Sequence, residues 1–276
     1  MSPHKIIKKE GIGRLRGHWP AALGTLLIPA AVGVLLAMAA EFVYALVGFF
    51  DAPLPERLTP AVQIAVQAAV IAAVLVLMLL IMRPLMLGVR RWFCALASGS
   101  DIGSGTVLYY FRRSEYGACL RYSLRKLGYI AVRAIPVAAA AGLLWIALVI
   151  TLDAQLLPMM LRGHTGALTN DQCTILADTG TLAILLGAVV LLIWCIPLFL
   201  ADYLFITGRR ADAVSVSAAA MRPYFGTVLR LVSSFWAWLL LSLLVFPLLF
   251  VLPYFMSSMA AAQKWMVYQS QTMSNS

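Results

Sequence analysis

Five apolar stretches alternate along the chain with segments in which arginine and lysine are interleaved with aliphatic and aromatic residues. The stretches fall at about residues 20–43, 60–82, 130–152, 181–206 and 226–252. A helix rises 1.5 Å per residue, so roughly 20 apolar residues cross a hydrocarbon core of about 30 Å, and each stretch meets that length. The pattern predicts an all-α, polytopic helical membrane protein with about five transmembrane helices in a single integral domain. Residues 84–129 and 207–225 are predicted to be cytoplasmic amphipathic links whose helices lie in the inner interface. Residues 1–18 form a basic cytoplasmic or interfacial segment, and 257–276 a polar, frayed tail.

Local signals refine these limits. Trp19 and Pro20 open the first span, as an interfacial anchor and a residue tolerated in a first helical turn. A basic start followed by Ala37-Met38-Ala39 also resembles a secretory signal. The apolar run exceeds the usual 7 to 15 residues, however, and resumes after Glu41, so an uncleaved anchor fits better. Glu41 lies about 33 Å of helix from Trp19 and is expected at the outer interface. In span two, Ala65, Ala68, Ala69, Ala72 and Ala73 make a face for close helix approach, and Gln63 and Gln67 lie one turn apart near its outer end. Arg90 and Arg91, at about 2.5 to 3.5 kcal/mol each, argue against a further crossing at 84–99. Pro136 and Pro247 mark a kink and an interruption, and Pro253-Tyr254 is expected to end the last span.

Composition agrees with lipid as the main solvent. Of the 276 residues, 62% are hydrophobic and only 12% charged, too little polar surface to clothe a water-soluble domain of this length. The net charge of +10 is set beside membrane-length runs, so the partner it points to is anionic lipid of the inner leaflet and not nucleic acid. The candidate leaflet contacts are Arg90, Arg91, Arg112, Arg113, Arg121, Arg125, Lys126, Arg210 and Arg222. With five spans, 18 of the 21 basic residues fall on one side; Arg57, Arg162 and Lys264 fall on the other. The positive-inside bias then puts the N-terminus in the cytoplasm and the C-terminus outside.

Reaction chemistry is absent from the sequence. There is no HExxH, no GxSxG and no pair of acids within a span, and His4, His18 and His164 all lie outside the spans. The glycine-rich SGSDIGSG at 98–105 lacks the Lys-Ser/Thr of a phosphate-binding loop. Cys94, Cys119, Cys173 and Cys195 have neither CxxC spacing nor a neighbouring His, so no metal, cofactor or disulfide framework is implied. The one intramembrane acid that invites a role is Asp202, near the inner end of span four. Together with Arg209, Gln63 and Gln67 it makes a candidate polar site. Alternatively it pairs locally with Arg209 to orient the link, and Arg90, Arg91 or Arg133 could also reach it.

A basic start with RLRGHW, PLMLG after span two, the link residues Ser217, Met221 and Arg222, SFWAW at 234–238 and Pro253-Tyr254 resemble the DUF975 family of bacterial integral membrane proteins. The chain departs from that pattern at Ala237, where Gly is common, and at Pro223, where Lys or Gly is common. The resemblance implies a multi-pass protein of the bacterial plasma membrane and transfers no activity. A weak internal repeat pairs RPLMLGVRRWF at 83 with IPLFLADYLFI at 196, each a Pro-Leu at a span end followed by an amphipathic segment. These readings converge on a non-enzymatic membrane protein that acts through a protein partner or the inner leaflet. The alternative is a transporter or transport accessory for a lipid-related or anionic substrate.

Overall fold

The computed structural model describes residues 3–46, 60–100, 103–156, 158, 169–208, 212–241 and 245–274, and among these no strand occurs. Among the described residues ten α-helices follow one another: α1 Pro3–Leu15, α2 Trp19–Leu46, α3 Pro60–Ser98, α4 Arg113–Leu152, α5 Asn170–Trp194, α6 Ala201–Ile206, α7 Ala213–Ala220, α8 Phe225–Ser233, α9 Trp236–Leu241 and α10 Val245–Ser274. Short 3-10 turns at Ser104–Phe111, Ile196–Leu198 and Arg222–Tyr224 join some of them. Four helices among the described residues are long and apolar enough to cross a membrane: Trp19–Val43, Ala68–Ser98, Arg113–Leu152 and Asn170–Trp194.

The fifth apolar stretch, 226–252, differs from the expected single span. It is broken at Ser234-Phe235 between α8 and α9, and residues 242–244 lie outside the described residues. The fourth stretch also ends earlier than expected, at Trp194, where Cys195 and Pro197 lead into a 3-10 turn. Proline removes a donor and clashes with the preceding turn, so the helix cannot continue in register there.

The chain forms two compact units, 1–124 with 198–276, and 125–197. In the first, α3 is 39 residues long, about 58 Å and almost twice a hydrocarbon core. Its burial changes along that length. Ile71, Leu75, Val76 and Leu77 are exposed, whereas Leu85, Val89, Trp92, Phe93, Leu96 and Ala97 are buried. The segment 84–98 is therefore neither a lipid-facing span nor a surface helix. It is the centre of a packed layer made with the 3-10 turn at 104–111, α1, α6 and α10.

Pro84 does not end α3, because the carbonyl it orphans finds another donor. The missing Pro84 N–H would have bonded the Leu80 carbonyl, and the Tyr116 hydroxyl donates to that oxygen at 3.1 Å. At its far end α3 closes with a Schellman cap, Ser100 N–H to Ala95 O and Gly99 N–H to Leu96 O, with Gly99 at φ 81°. Gly88 is required by contact: a Cβ there would lie 2.7 Å from Val107 Cα.

The C-terminal segment is a correction to the sequence reading. Pro253-Tyr254 does not end the helix, and 257–274 is not a frayed tail but the continuation of α10, with Ser257, Ser258, Ala260, Ala261, Ala262 and Gln263 buried. Small residues make this possible. Gly11 of α1 approaches Ser258 so closely that a Cβ would meet its Cα at 2.9 Å, and the Ser257 hydroxyl donates to Gly11 O at 2.9 Å. Gln263 donates to Phe199 O at 2.6 Å and Lys264 to Ala97 O at 3.0 Å, so side chains that look solvated in sequence satisfy main-chain carbonyls of other helices. On α1 the apolar residues divide: Ile7 and Leu15 are buried with Gly11, while Ile6 and Ile12 stay exposed.

The break at Phe235 also has a geometric outcome. The Phe235 ring packs against Tyr254 at 5.1 Å and Phe255 at 5.2 Å, so the chain that leaves at Phe235 has returned to it 19 residues later. Lys8 of α1 closes this neck, donating to Ser234 O at 3.0 Å and sitting 3.9 Å from the Phe235 ring centroid. Burial lowers the Lys8 pKa.

The second unit is an antiparallel helical hairpin of α4 and α5. Gly187 lies against Ala141 and Val137, Gly180 against Trp145, and Gln172 donates to Asp153 at 3.0 Å. A capping box at Thr169 and Gln172 starts α5.

Candidate functional site

Three helices of the first unit converge on one carboxylate. α3 brings Arg90, α4 brings Tyr122 from its first turns, and α6 brings Asp202. The Tyr122 hydroxyl donates to Asp202 Oδ1 at 2.6 Å, and the Arg90 guanidinium pairs with Oδ2. The Asp202 side chain is only 4% exposed, whereas that of Arg90 is 38% exposed. Phe205, one turn beyond Asp202, stacks on the Tyr122 ring at 4.3 Å and 17°, which fixes the direction of the hydroxyl.

An ionised carboxylate away from water needs charge and hydrogen-bond donors, and here each oxygen has one. The pair is a charge-assisted contact between segments 112 residues apart in sequence, with Tyr122 drawing in a third. What this arrangement can do is hold α3, α4 and α6 in one relation. Among the described residues, no three His, Cys, Asp or Glu side chains come together in a way that could hold a metal ion.

The other candidates of the sequence reading are distributed differently. Arg209 and Arg210 lie outside the described residues, and so does the local pairing of Asp202 with Arg209. Gln63 and Gln67 are in the first turns of α3, with side chains outside the described set. They are separated from Arg90 by roughly 35 to 40 Å along the helix, so they do not join Asp202 in one site. Arg91 turns away from the clamp and stacks on Tyr109 at 3.7 Å, with Arg112 over the same ring at 5.1 Å. Arg112, Arg113, Arg121, Arg125 and Arg222 are exposed, whereas Lys126 is buried. In the second unit, Arg133 stacks on Tyr129 at 3.9 Å and donates to its hydroxyl.

Tyr122 is the functional partner that sequence reasoning missed. It sits between Arg121 and Arg125 in a segment read as interfacial, and nothing in its neighbourhood distinguishes it from Tyr109 or Tyr116. Tyr110, on the 3-10 turn, is 2% exposed, and burial pushes its hydroxyl pKa up to about 12, against the opposing effect of Arg91.

The helices and the exposed apolar faces define an all-α, membrane-embedded protein. No family model, curated protein or solved structure matches the chain.

Proposed function

We propose that this is a non-enzymatic multi-pass protein of the bacterial inner membrane that works at the cytoplasmic face, holding anionic inner-leaflet lipid against a packed basic layer where a protein partner also docks. The observation that carries this reading is the reversal of burial along α3. Beyond Met82 its apolar residues form a core instead of meeting lipid, and the layer built on them carries Arg112, Arg113 and Arg121 exposed. Clustered arginines at an inner interface attract anionic headgroups at about 1 kcal/mol each. Membership of the DUF975 family, proposed from the short motifs alone, fits this class and adds no activity.

The topology that accompanies this proposal has four crossings, α2, α3, α4 and α5, with both ends in the cytoplasm. Its support is the packing of α1, which precedes the first crossing, against the second half of α10, which puts that half at the membrane face where α1 lies. In this reading the chain leaves the cytoplasmic face after Phe235 and is back at that face by Tyr254, because these two rings meet. The helical segments between them, α9 of 6 residues and the nine of α10 from Val245 to Pro253, are each too short to cross. Lys264 then joins the cytoplasmic side, leaving only Arg57 and Arg162 of 21 basic residues outside.

The experiment is reconstitution into nanodiscs containing phosphatidylglycerol, with the lipid shell analysed after stepwise removal of detergent-extractable lipid. Enrichment of phosphatidylglycerol is expected, and it should fall to the bulk fraction when Arg112, Arg113, Arg121 and Arg125 are changed to Gln. Equal enrichment in both proteins would refute the leaflet role. A reporter fused after Ser276 should be cytoplasmic; an external one would refute four crossings. Transport is the second reading, resting on the buried Asp202 alone. It requires a carboxylate that opens, so solute flux lost in Asp202→Asn at unchanged stability would favour it.

A further inference from the structure

Beside the clamp, the first unit has a half-open cleft of about 680 Å³ between α1, α6, α7 and α10 that neither Arg90 nor Asp202 lines. Its volume is within the roughly 300 to 1,000 Å³ of small-molecule sites. The walls combine three aromatic side chains, Tyr203, Trp265 and Tyr268, with apolar surface from Leu204 and Val216 and two opposite charges, Glu10 and Lys264. Trp265 is held by edge contact with Tyr224 at 5.8 Å. Lys264 is also fixed, since it donates one proton to Ala97 O at 3.0 Å; an ammonium has three, so two remain for another acceptor.

We propose that this cavity binds the headgroup of a zwitterionic aminophospholipid drawn from the inner leaflet. The ammonium is received by Glu10 and the aromatic faces, and the phosphate by Lys264. Three features select this class. A carboxylate and an ammonium lining one cavity match a ligand that carries both signs. A purely anionic headgroup would satisfy Lys264 but be repelled by Glu10, which discriminates against it. Aromatic faces attract cations, and a carboxylate adds charge-assisted hydrogen bonds only where the cation has N–H groups, which favours a primary ammonium over a quaternary one. The apolar wall of Leu204 and Val216 suits the glycerol and first methylenes of a lipid and has no counterpart in free phosphoethanolamine.

The inference rests on placing this layer at the inner leaflet, but its test does not use the exposed arginines. The full chain, purified in detergent and stripped of lipid, is mixed with phosphatidylethanolamine, phosphatidylcholine or phosphatidylglycerol and examined by native mass spectrometry. One retained phosphatidylethanolamine per chain is expected, with at least tenfold weaker retention for phosphatidylglycerol. Glu10→Gln should weaken phosphatidylethanolamine at least tenfold. Val216→Trp, which fills the cavity, should abolish retention at an unchanged melting temperature. Equal retention of phosphatidylglycerol, or undiminished binding in both variants, would overturn the proposal. Displacement by free phosphoethanolamine at the same concentration as lipid would overturn the lipid source. The variant lacking Arg112, Arg113, Arg121 and Arg125 should still retain phosphatidylethanolamine. A failed shell enrichment with this lipid still bound would thus reject the leaflet role and leave the cavity site standing.

Discussion

Breaking the Arg90–Asp202–Tyr122 clamp from either side should give unequal losses. Arg90→Met removes the guanidinium paired with the Asp202 carboxylate, which is 4% exposed, and removing one partner of a buried ion pair costs about 3 to 5 kcal/mol. Asp202→Asn leaves Arg90 instead, whose side chain is 38% exposed and can turn toward headgroups or water. The new amide oxygen still accepts from Tyr122, so the loss is about 1 to 2 kcal/mol. Tyr122→Phe removes one hydrogen bond to a charged acceptor, about 1.5 kcal/mol. In the double variant Arg90→Met with Asp202→Leu no charge is stranded, and stability should return to within about 2 kcal/mol of the parent. The assay is thermal unfolding followed by a thiol-reactive dye. Cys94 and Cys119 are buried and report unfolding, after the exposed Cys173 and half-buried Cys195 are replaced by Ala. Asp202→Asn as damaging as Arg90→Met, or a double variant worse than both, would refute the clamp.

Two further predictions follow from packing and burial. Gly88→Ala would drive a methyl into the Val107 backbone and should cost about 1 to 3 kcal/mol by the same dye assay, while Gly105→Ala, with open space around it, should be neutral. Tyr110 has a folded pKa raised from 10 to about 12, so its neutral form is favoured by folding. Its contribution is complete below pH 10 and is lost as pH rises from about 10 to about 12, a difference of about 2 to 3 kcal/mol. Urea midpoints of the parent should fall relative to Tyr110→Phe across that interval; parallel curves would mean that Tyr110 ionises freely in the fold.

The class of fold was legible because lipid leaves a length signature. Four of the five apolar stretches overlap helices that are long enough to cross, since uninterrupted apolar sequence has few other uses. In the fifth, the helix break at Ser234-Phe235 was not legible, because length and apolarity do not reveal an interruption. The distinguishing event, Phe235 meeting Tyr254, is a contact between residues whose types are unremarkable. The tail at 257–274 was misread for a related reason. Ser257, Gln263 and Lys264 are polar by composition, but each bonds a carbonyl on a distant helix, and composition does not reveal where a donor finds its acceptor. For Asp202, the sequence located the acid and named Arg90 among four reachable cations, but Tyr122 had no periodicity or motif to mark it.

The unequal exposure within the clamp bears on which function the molecule can have. A transport carboxylate must exchange partners, and a partner held in one geometry by a stacked ring opposes that: Phe205 lies 4.3 Å from Tyr122, and Tyr110 in turn lies 5.8 Å from Phe205. Opening Asp202 would therefore disturb the aromatic set that also packs the 3-10 turn against α3. A group whose motion requires a core to loosen serves better as a fixed joint than as a gate. The same joint sits where α3 changes from lipid-exposed to packed, so it secures the layer that carries the basic rim. If this is its role, Asp202→Asn should lower the melting temperature and the retention of phosphatidylethanolamine together, because the cavity shares α6 with the clamp. Loss of binding without loss of stability would instead make Asp202 part of the ligand site and reverse the assignment.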